Sequence, residues 1–334
     1  AQAVAEHGVH MLIETPLGLT RSMMQSIADT ARKTGVAVEV GENMWRRPTE
    51  RLNQQAVAAG LIGKVLRVSS YYESAGQNSC YHTMSLLRRY AGADVTEVRA
   101  FSQAYALDPD VTRSPDGPAY GSDPLSSETW TQAVLSFENG VTGTCTYVDS
   151  WIAPLRRGHP RFMSIEGTEG FIVTGDGDLN MLRRVERGVP TTYHKQIEMA
   201  SPSSASADDG KIPLRYYYET DPIVAYENPY LDRVLTDSGS TGSPSDGFAR
   251  AHELASIYHA VVDGSAPAYD IDSAFRDQEL SIAITESAAR GEALRTDQLP
   301  PETAWERGAH ETFKELWGAD VLAAPGLLLK AMGR

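Results

Sequence analysis

The strongest candidates for acid–base chemistry lie together in the segment Asn78-Ser79-Cys80-Tyr81-His82. Histidine titrates close to neutral pH, so His82 is able to take up or release a proton, and the phenol of Tyr81 is able to polarise a substrate oxygen. Asn78 carries no charge and cannot shift the pKa of His82 by charge. A structural explanation for His82 stays open beside the chemical one, namely a histidine at a helix start that bonds to its own backbone.

A second group of polar residues, Glu14-Thr15-Pro16, follows a short apolar run. A threonine hydroxyl does not accept a proton near pH 7. We therefore predict that the Thr15 hydroxyl faces a bound ligand and does not act as a catalyst.

The elements that must position these residues begin with a strand–helix–strand unit. Residues 9–13 and 36–40 are short apolar runs typical of buried parallel strands. Residues 20–33 between them predict an amphipathic helix, with Thr20 as its N-cap and Gly35 as its C-terminal stop. This spacing predicts a βαβ unit and a parallel, doubly wound sheet.

The rest of the sequence predicts a mainly antiparallel sheet with helices. Asn-Gly at 139–140 lies between two alternating runs and predicts a hairpin, and residues 162–174 predict a second one. Two polar stretches, 201–210 and 237–247, are predicted to be mobile. We further predict strands at 65–72 and 95–105, and helices at 48–60, 82–90, 250–262, 273–291 and 303–330.

The composition restricts the class of partner and the compartment. The 334 residues carry a formal net charge of −14, which disfavours nucleic acid because phosphates attract clustered Lys and Arg. The sequence has no run of about 18 apolar residues, so no membrane span is expected. Its two cysteines, Cys80 and Cys145, form no Cys-x-x-Cys motif, so a reducing, cytoplasmic location is expected. No metal is predicted, because His252 and His259 lie two helical turns apart.

Six short motifs, in their order and spacing, resemble the Gfo/Idh/MocA family of NAD(P)-dependent oxidoreductases, most of which act on sugars. The resemblance extends over nearly the whole chain, and no single motif is specific alone. The motifs are Glu14-Thr15-Pro16, residues 40–43 followed by Pro48, and residues 61–65, 137–140, 166–170 and 287–291.

The resemblance implies a fold class of α/β plus α+β. Residues 1–45 would be the C-terminal remnant of a Rossmann-type dinucleotide-binding domain with a parallel sheet. Residues 46–334 would be a substrate and oligomerisation domain, built on a large, mainly antiparallel open sheet with flanking helices. It also implies NAD or NADP as cofactor, a carbohydrate-like substrate, and a homo-oligomer that forms through the open sheet.

The resemblance also suggests roles for single residues. His82 would act in proton transfer together with Tyr81 and Asn78. Cofactor contacts would come from Glu14, Thr15, Pro16 and Asn43, although Glu14 is equally explained as a strand-end carboxylate that bonds a backbone amide. Substrate contacts would come from Trp45, Arg46, Arg157 and His159, with ordinary core packing as the alternative for Trp45.

The chain departs from the family pattern at several places. Met44-Trp45 replaces the arginine usually found after Asn43, and Ser85 stands where the family often has a second acid after the histidine. The lysine of the Glu-Lys-Pro signature is Thr15, the aspartate of Asp-x-x-x-His is Asn78, and no Gly-x-Gly-x-x-Gly turn occurs in the sequence. The family pattern places further strands and helices before Ala1, so the sequence is truncated, a partner supplies that half, or the half is lost. An uncovered parallel strand argues against loss, and we expect a missing segment.

Three functions fit these observations. The first is an NAD(P)-dependent enzyme that acts on a sugar, cyclitol or related polyhydroxy compound with an altered proton-transfer set. The alternatives are a non-redox lyase or hydrolase on a sugar derivative, and a non-catalytic partner subunit. Binding of a nicotinamide nucleotide would favour the first function.

Overall fold

The structure is a computed structural model that describes most of the chain. The described residues are 1–75, 77–106, 127–148, 161–175, 179–200, 212–230, 244–323 and 326, without the side chains of 72–79, 200, 212 and 244–246.

The N-terminal elements form the predicted strand–helix–strand unit. After helix α1 (Gln2–Glu6), strand β1 (Met11–Glu14) and strand β2 (Val38–Gly41) pair in parallel, with helix α2 (Arg21–Thr34) between them. The hydroxyl of Thr20 accepts the N–H of Met23, and Gly35 ends α2 with a φ of 70°, as the sequence indicates. The register joins Glu14 to Gly41, so both strands end at the same edge.

Most of the remaining chain builds one nine-stranded sheet. Its order is β10-β9-β8-β7-β3-β6-β5-β4-β14, and the β3–β6 pair is parallel while the other pairs are antiparallel. The bounds of these strands are β3 Val65–Ala75, β4 Val95–Ala106, β5 Ser127–Phe137, β6 Thr142–Val148, β7 Phe162–Gly167, β8 Gly170–Gly175, β9 Asn180–Glu186, β10 Val189–His194 and β14 Leu294–Arg295.

A three-stranded antiparallel sheet and five further α-helices complete the described fold. The small sheet contains β11 (Gln196–Ala200), β12 (Ile212–Tyr218) and β13 (Val224–Glu227). The helices are α3 Pro48–Ala58, α4 Gln77–Ala91, α5 Pro244–Val262, α6 Ile271–Arg290 and α7 Ala304–Trp317. Among the described residues no helix is both long enough and apolar enough to cross a membrane.

The nine-stranded sheet is covered by helices on one face. Strand residues alternate, so Val98 and Leu135 point into the core beneath α4 and α6. On the opposite face Phe101 and Val134 are 56% and 44% exposed. The predicted fold class is therefore confirmed, because a parallel unit precedes a large, mainly antiparallel open sheet with flanking helices.

Several predicted bounds are wrong. Helix α4 starts at Gln77 and not at His82, so His82 lies in its second turn and is not a helix-start residue. Helix α5 starts at Pro244, inside the polar stretch 237–247 that was predicted to be mobile; residues 201–210 lie outside the described residues. Strands β9 to β13 follow no clear alternation in the sequence and were not predicted.

Candidate active site

The carboxyl ends of β1 and β2 bring two sequence-distant carboxylates to one edge. Glu14 is the last residue of β1 and is exposed, while Glu42 directly follows β2 and is fully buried. In open parallel sheets ligands bind outside the carboxyl ends of the strands. This edge is therefore the place in the described fold where a ligand site is expected.

His82 reaches this edge from helix α4 and pairs with Glu42. The His82 Nδ1 atom lies 2.6 Å from Glu42 Oε2, and the His82 side chain is 22% exposed. The other oxygen of the carboxylate, Oε1, accepts the backbone N–H of Met44 at 2.9 Å. A carboxylate accepts from an imidazole N–H, so the pair makes Nδ1 the donor and leaves Nε2 as the ring's lone-pair nitrogen.

Tyr81 and Thr15 form a second contact between α4 and the end of β1. The Tyr81 hydroxyl donates to Thr15 Oγ1 at 3.1 Å. Burial raises the pKa of Tyr81 to about 12, with Glu42 and Glu14 adding to the rise and the Thr15 bond opposing it. Tyr81 is therefore a hydrogen-bond donor at neutral pH and not a base. Its ring centroid lies 4.3 Å from that of His82. The two candidate residues are therefore in direct contact at the same site.

Two residues expected to contact a substrate are placed in the core. The guanidinium of Arg46 is 1% exposed, forms an ion pair with Glu39 and donates from Nε to the backbone oxygen of Glu42 at 3.0 Å. Trp45 is 5% exposed, and the guanidinium of Arg89 lies 3.4 Å from its ring centroid. Burial in the core argues against the expected substrate contacts of Arg46 and Trp45. For Trp45 it agrees with the alternative of ordinary core packing.

Glu253 is a buried acid that helix α5 brings to the same edge. It is 6% exposed, and its Oε1 has no hydrogen-bond partner among the described residues. A Cβ built on Gly41 would lie 3.3 Å from Glu14 Oε2 and 3.6 Å from Glu253 Oε2, so both carboxylates lie against this glycine. Burial raises the pKa of Glu253 to about 7; Arg46 opposes the rise and the neighbouring carboxylates add to it.

The other expected site residues are placed as follows. Pro16 follows Thr15 through a cis peptide bond, and Asn43 is half-buried at the start of the 3₁₀-helix Met44–Arg46 without a side-chain cap bond. Asn78 lies in the first turn of α4, and its side chain is not among those described. Arg157 and His159 lie outside the described residues.

The sequence interpretation missed two members of this group. It treated Asn78 as the partner position of His82 and found no charge there, whereas the carboxylate partner is Glu42, 40 residues away in the chain. A motif at 40–43 drew attention to that segment, but no sequence signal linked it to α4. Glu253 stood beside a histidine that was considered only as a metal ligand. Among the described residues no group of three metal-ligating side chains converges.

Comparisons with known proteins connect this fold to solved oxidoreductases. No protein-family model matches the chain, and no curated protein sequence matches it. An oxidoreductase domain protein from Kribbella flavida has a TM-score of 0.59 and 18% identity, over 89% of this chain and 77% of that one.

Two further solved structures carry bound molecules. Levoglucosan dehydrogenase in complex with NADH and levoglucosan has a TM-score of 0.58 and 19% identity, over 89% of this chain and 76% of that one. An oxidoreductase from Agrobacterium radiobacter in complex with NAD⁺, L-tartaric acid and magnesium has a TM-score of 0.57 and 15% identity, over 89% and 75%. At these identities the similarity is one of fold, and this chain has the fold of NAD-binding oxidoreductases.

Proposed function

We propose that this chain is an oxidoreductase that oxidises a secondary alcohol of a sugar, cyclitol or related polyhydroxy compound. It removes the proton from the hydroxyl group and the hydride from the carbon that bears it, with NAD or NADP as hydride acceptor. The observation that carries this proposal is the buried Glu42–His82 pair beside Tyr81 and Thr15, at the strand ends of a fold shared with NAD-binding oxidoreductases.

In this proposal His82 takes the hydroxyl proton on Nε2. Glu42 holds the Nδ1 proton at 2.6 Å and stabilises the imidazolium that forms. This pairing supplies the charge that Asn78 lacks. It therefore removes the main objection that the sequence raised against an active histidine.

In the same proposal the Thr15 hydroxyl holds the carbinol oxygen, and Tyr81 orients that hydroxyl. Because the Thr15 hydroxyl accepts from Tyr81, its own hydrogen is free to point to a ligand oxygen. Tyr81 keeps its proton at neutral pH, since burial raises its pKa to about 12. The pair replaces the hydrogen-bonding part of the family's lysine and leaves the proton transfer to His82.

The residues of this chain fit part of a nicotinamide nucleotide. Exposed Glu14, Thr15, cis-linked Pro16 and half-buried Asn43 would hold its nicotinamide end at the β1–β2 edge. The bound nucleotide supplies the acceptor for the hydride. The glycine-rich turn that would contact a pyrophosphate is not among the 334 residues, so these residues account for contacts to the nicotinamide end of the nucleotide.

The proposal is tested by titrating the protein with NADH and NADPH while the cofactor fluorescence is followed, and then by measuring NADH formation with levoglucosan and L-sorbose. We expect saturable binding of one nucleotide and turnover that His82→Asn abolishes. His259→Asn is a matched control, because His259 forms the same Nδ1–carboxylate contact at 2.6 Å with Asp263 on an exposed surface. No binding of either nucleotide would overturn the redox proposal.

A second candidate is a non-redox lyase that abstracts a proton from a sugar derivative. The observation in its favour is that the Glu42–His82 base needs no nucleotide. This candidate would be favoured if the unmodified chain forms an unsaturated sugar product, His82→Asn does not, and neither NADH nor NADPH binds. If neither activity is found, a partner subunit without catalysis becomes the better explanation.

We also propose that the open face of the nine-stranded sheet binds a second copy of this chain. Phe101 and Val134 are exposed there, on neighbouring strands that expose Arg99 and Gln132 on the same face. A broad sheet face with exposed large apolar side chains is typical of an interaction surface.

A further inference from the structure

Glu253 has a property that the proposed proton transfer does not use. Its Oε1 is buried without a hydrogen-bond partner among the described residues. Leaving a buried carboxyl oxygen unpaired is unfavourable, and a ligand hydroxyl that donated to it would remove that cost. Its Oε2 lies against Gly41 on the same side as Glu14 Oε2. A ligand bound at this edge would therefore meet two carboxylates at once.

We propose that Glu253 is a substrate-binding residue that accepts hydrogen bonds from hydroxyl groups, and that with Glu14 and Glu42 it selects uncharged polyhydroxy compounds and rejects sugar acids and sugar phosphates. This inference deepens the proposed function and rests on it for the nature of the ligand. It adds the charge class of the substrate, which the Glu42–His82 pair does not decide.

The charges around Glu253 come from three parts of the fold. Strand β1 contributes Glu14, strand β2 contributes Glu39, and Glu42 directly follows β2. The cation that faces Glu253 is Arg46, which is 1% exposed and ion-paired with Glu39. Carboxylates therefore outnumber the facing cations in the described part of this edge.

This balance is the physical reason for the selection. A carboxylate or phosphate on the substrate would approach the negative carboxylates of this edge, while the charge of Arg46 is already neutralised by Glu39. Like charges at close range repel each other strongly where water is excluded. Hydroxyl groups are donors and fit acceptor-only carboxylates. A neutral polyol therefore satisfies this edge, whereas an anion does not.

The same arrangement makes binding depend on pH. Burial raises the pKa of Glu253 to about 7, so the residue changes from a neutral acid to a carboxylate across neutral pH. Hydroxyl groups donate more strongly to an ionised carboxylate than to a neutral one. The affinity for a neutral polyol should therefore rise as the pH increases through about 7, by roughly five- to tenfold.

The test is calorimetric titration of the whole chain, without nucleotide, with levoglucosan, L-sorbose and L-tartrate at about pH 6 and about pH 8. We expect the neutral sugars to bind and L-tartrate not to bind. In Glu253→Gln we expect weaker binding of the neutral sugars at about pH 8 and a pH effect of less than roughly twofold, because the amide does not ionise. His82 and Glu42 are unchanged in this variant, so they do not account for a difference between the two proteins.

Glu286→Gln is the matched control, a buried glutamate on α6 that bonds Arg290 and the Ala304 backbone N–H. It should bind like the unmodified chain. The inference is overturned if L-tartrate binds as well as the neutral sugars, if no neutral sugar binds, or if Glu253→Gln keeps the full pH effect. Hydride transfer is measured separately, so oxidation of a sugar acid in preference to a neutral sugar would overturn this inference and leave the proposed function standing.

Discussion

At the residue scale, the edge of β1 and β2 contains acids that differ in their surroundings. Glu42 is buried but accepts from His82 and from a backbone N–H, so its charge has partners. Glu253 is buried without a hydrogen-bond partner among the described residues, and burial raises its pKa to about 7. Glu14 is exposed to water. These surroundings suit Glu42 to hold an imidazolium and Glu253 to exchange a proton near neutral pH.

The first prediction concerns the Glu42–His82 pair. Glu42→Gln keeps the side-chain shape but removes the charge that stabilises the imidazolium, so we expect kcat to fall by roughly 100- to 10,000-fold, with a smaller change in KM. The measurement is NADH formation under saturating neutral sugar. A kcat within a few-fold of the unmodified chain would contradict proton transfer through His82.

The second prediction concerns stability and the protonation of Glu253. Its folded pKa of about 7 lies above the ordinary value of 4.5, so the unfolded chain loses this proton first as the pH rises. The free energy of unfolding should therefore fall between about pH 4.5 and pH 7, by about 3 kcal/mol, and stay level above that range. Urea unfolding of Glu253→Gln should lack this decline. Parallel pH curves for the two proteins would contradict the raised pKa.

At the element scale, a buried ion pair joins β2, the 3₁₀-helix Met44–Arg46 and helix α5. Arg46 pairs with Glu39, and Glu39 Oε2 also accepts from the Ser256 hydroxyl at 2.5 Å. Burial raises the pKa of Glu39, while Arg46 opposes that rise. Because Arg46 also donates to the backbone oxygen of Glu42, the pair sets where the segment after β2 lies. Through Arg46, the backbone of Glu42, the acid partner of His82, is thus linked to Glu39 on β2 and, through Glu39, to Ser256 on α5.

The third prediction follows from this ion pair. Arg46→Met leaves Glu39 buried without its cation, so we expect a loss of about 3 to 5 kcal/mol in the free energy of unfolding. Arg32→Met is the control, since Arg32 is 54% exposed in its pairs with Asp29 and Asp272 and should change stability by less than about 1 kcal/mol. Equal losses in the two variants, measured by urea unfolding, would count against a structural role for Arg46.

At the scale of the whole molecule, the nine-stranded sheet has unlike faces. Helices α4 and α6 cover one face, and an ion pair between half-buried Arg88 on α4 and buried Asp277 on α6 joins the two helices. The other face exposes Phe101 and Val134 between polar strand residues. A sheet with one covered face and one open face is a common antiparallel arrangement.

The fourth prediction concerns this open face. If two copies meet there, Val134→Lys should place a charge in the contact and reduce the molar mass in light scattering towards 36.4 kDa. Nucleotide and sugar binding should stay unchanged, because Val134 lies on the nine-stranded sheet and not at the β1–β2 edge. A molar mass of 36.4 kDa for the unmodified chain would contradict self-association.

Local patterns in the sequence predicted many of the elements and, through their order, the fold class. Thr20 and Gly35 mark the two ends of α2. Each cap is visible in the sequence because it depends on the identity of the one residue at that position. The Asn139-Gly140 turn predicts the β5–β6 hairpin for the same reason, since φ is 83° at Gly140. The start of α4 was placed too late, because the polar residues before Tyr81 give no apolar period to detect.

The tertiary structure decided which side chains meet. The pairing of Glu42 with His82, the burial of Arg46 on Glu39 and the approach of Glu253 to Gly41 each join segments that no local pattern connects. Periodicity shows which face of an element is buried but not which partner it meets. A pKa or an ion pair depends on distances of a few ångströms between such partners, and so only the folded chain determines the chemistry of this edge.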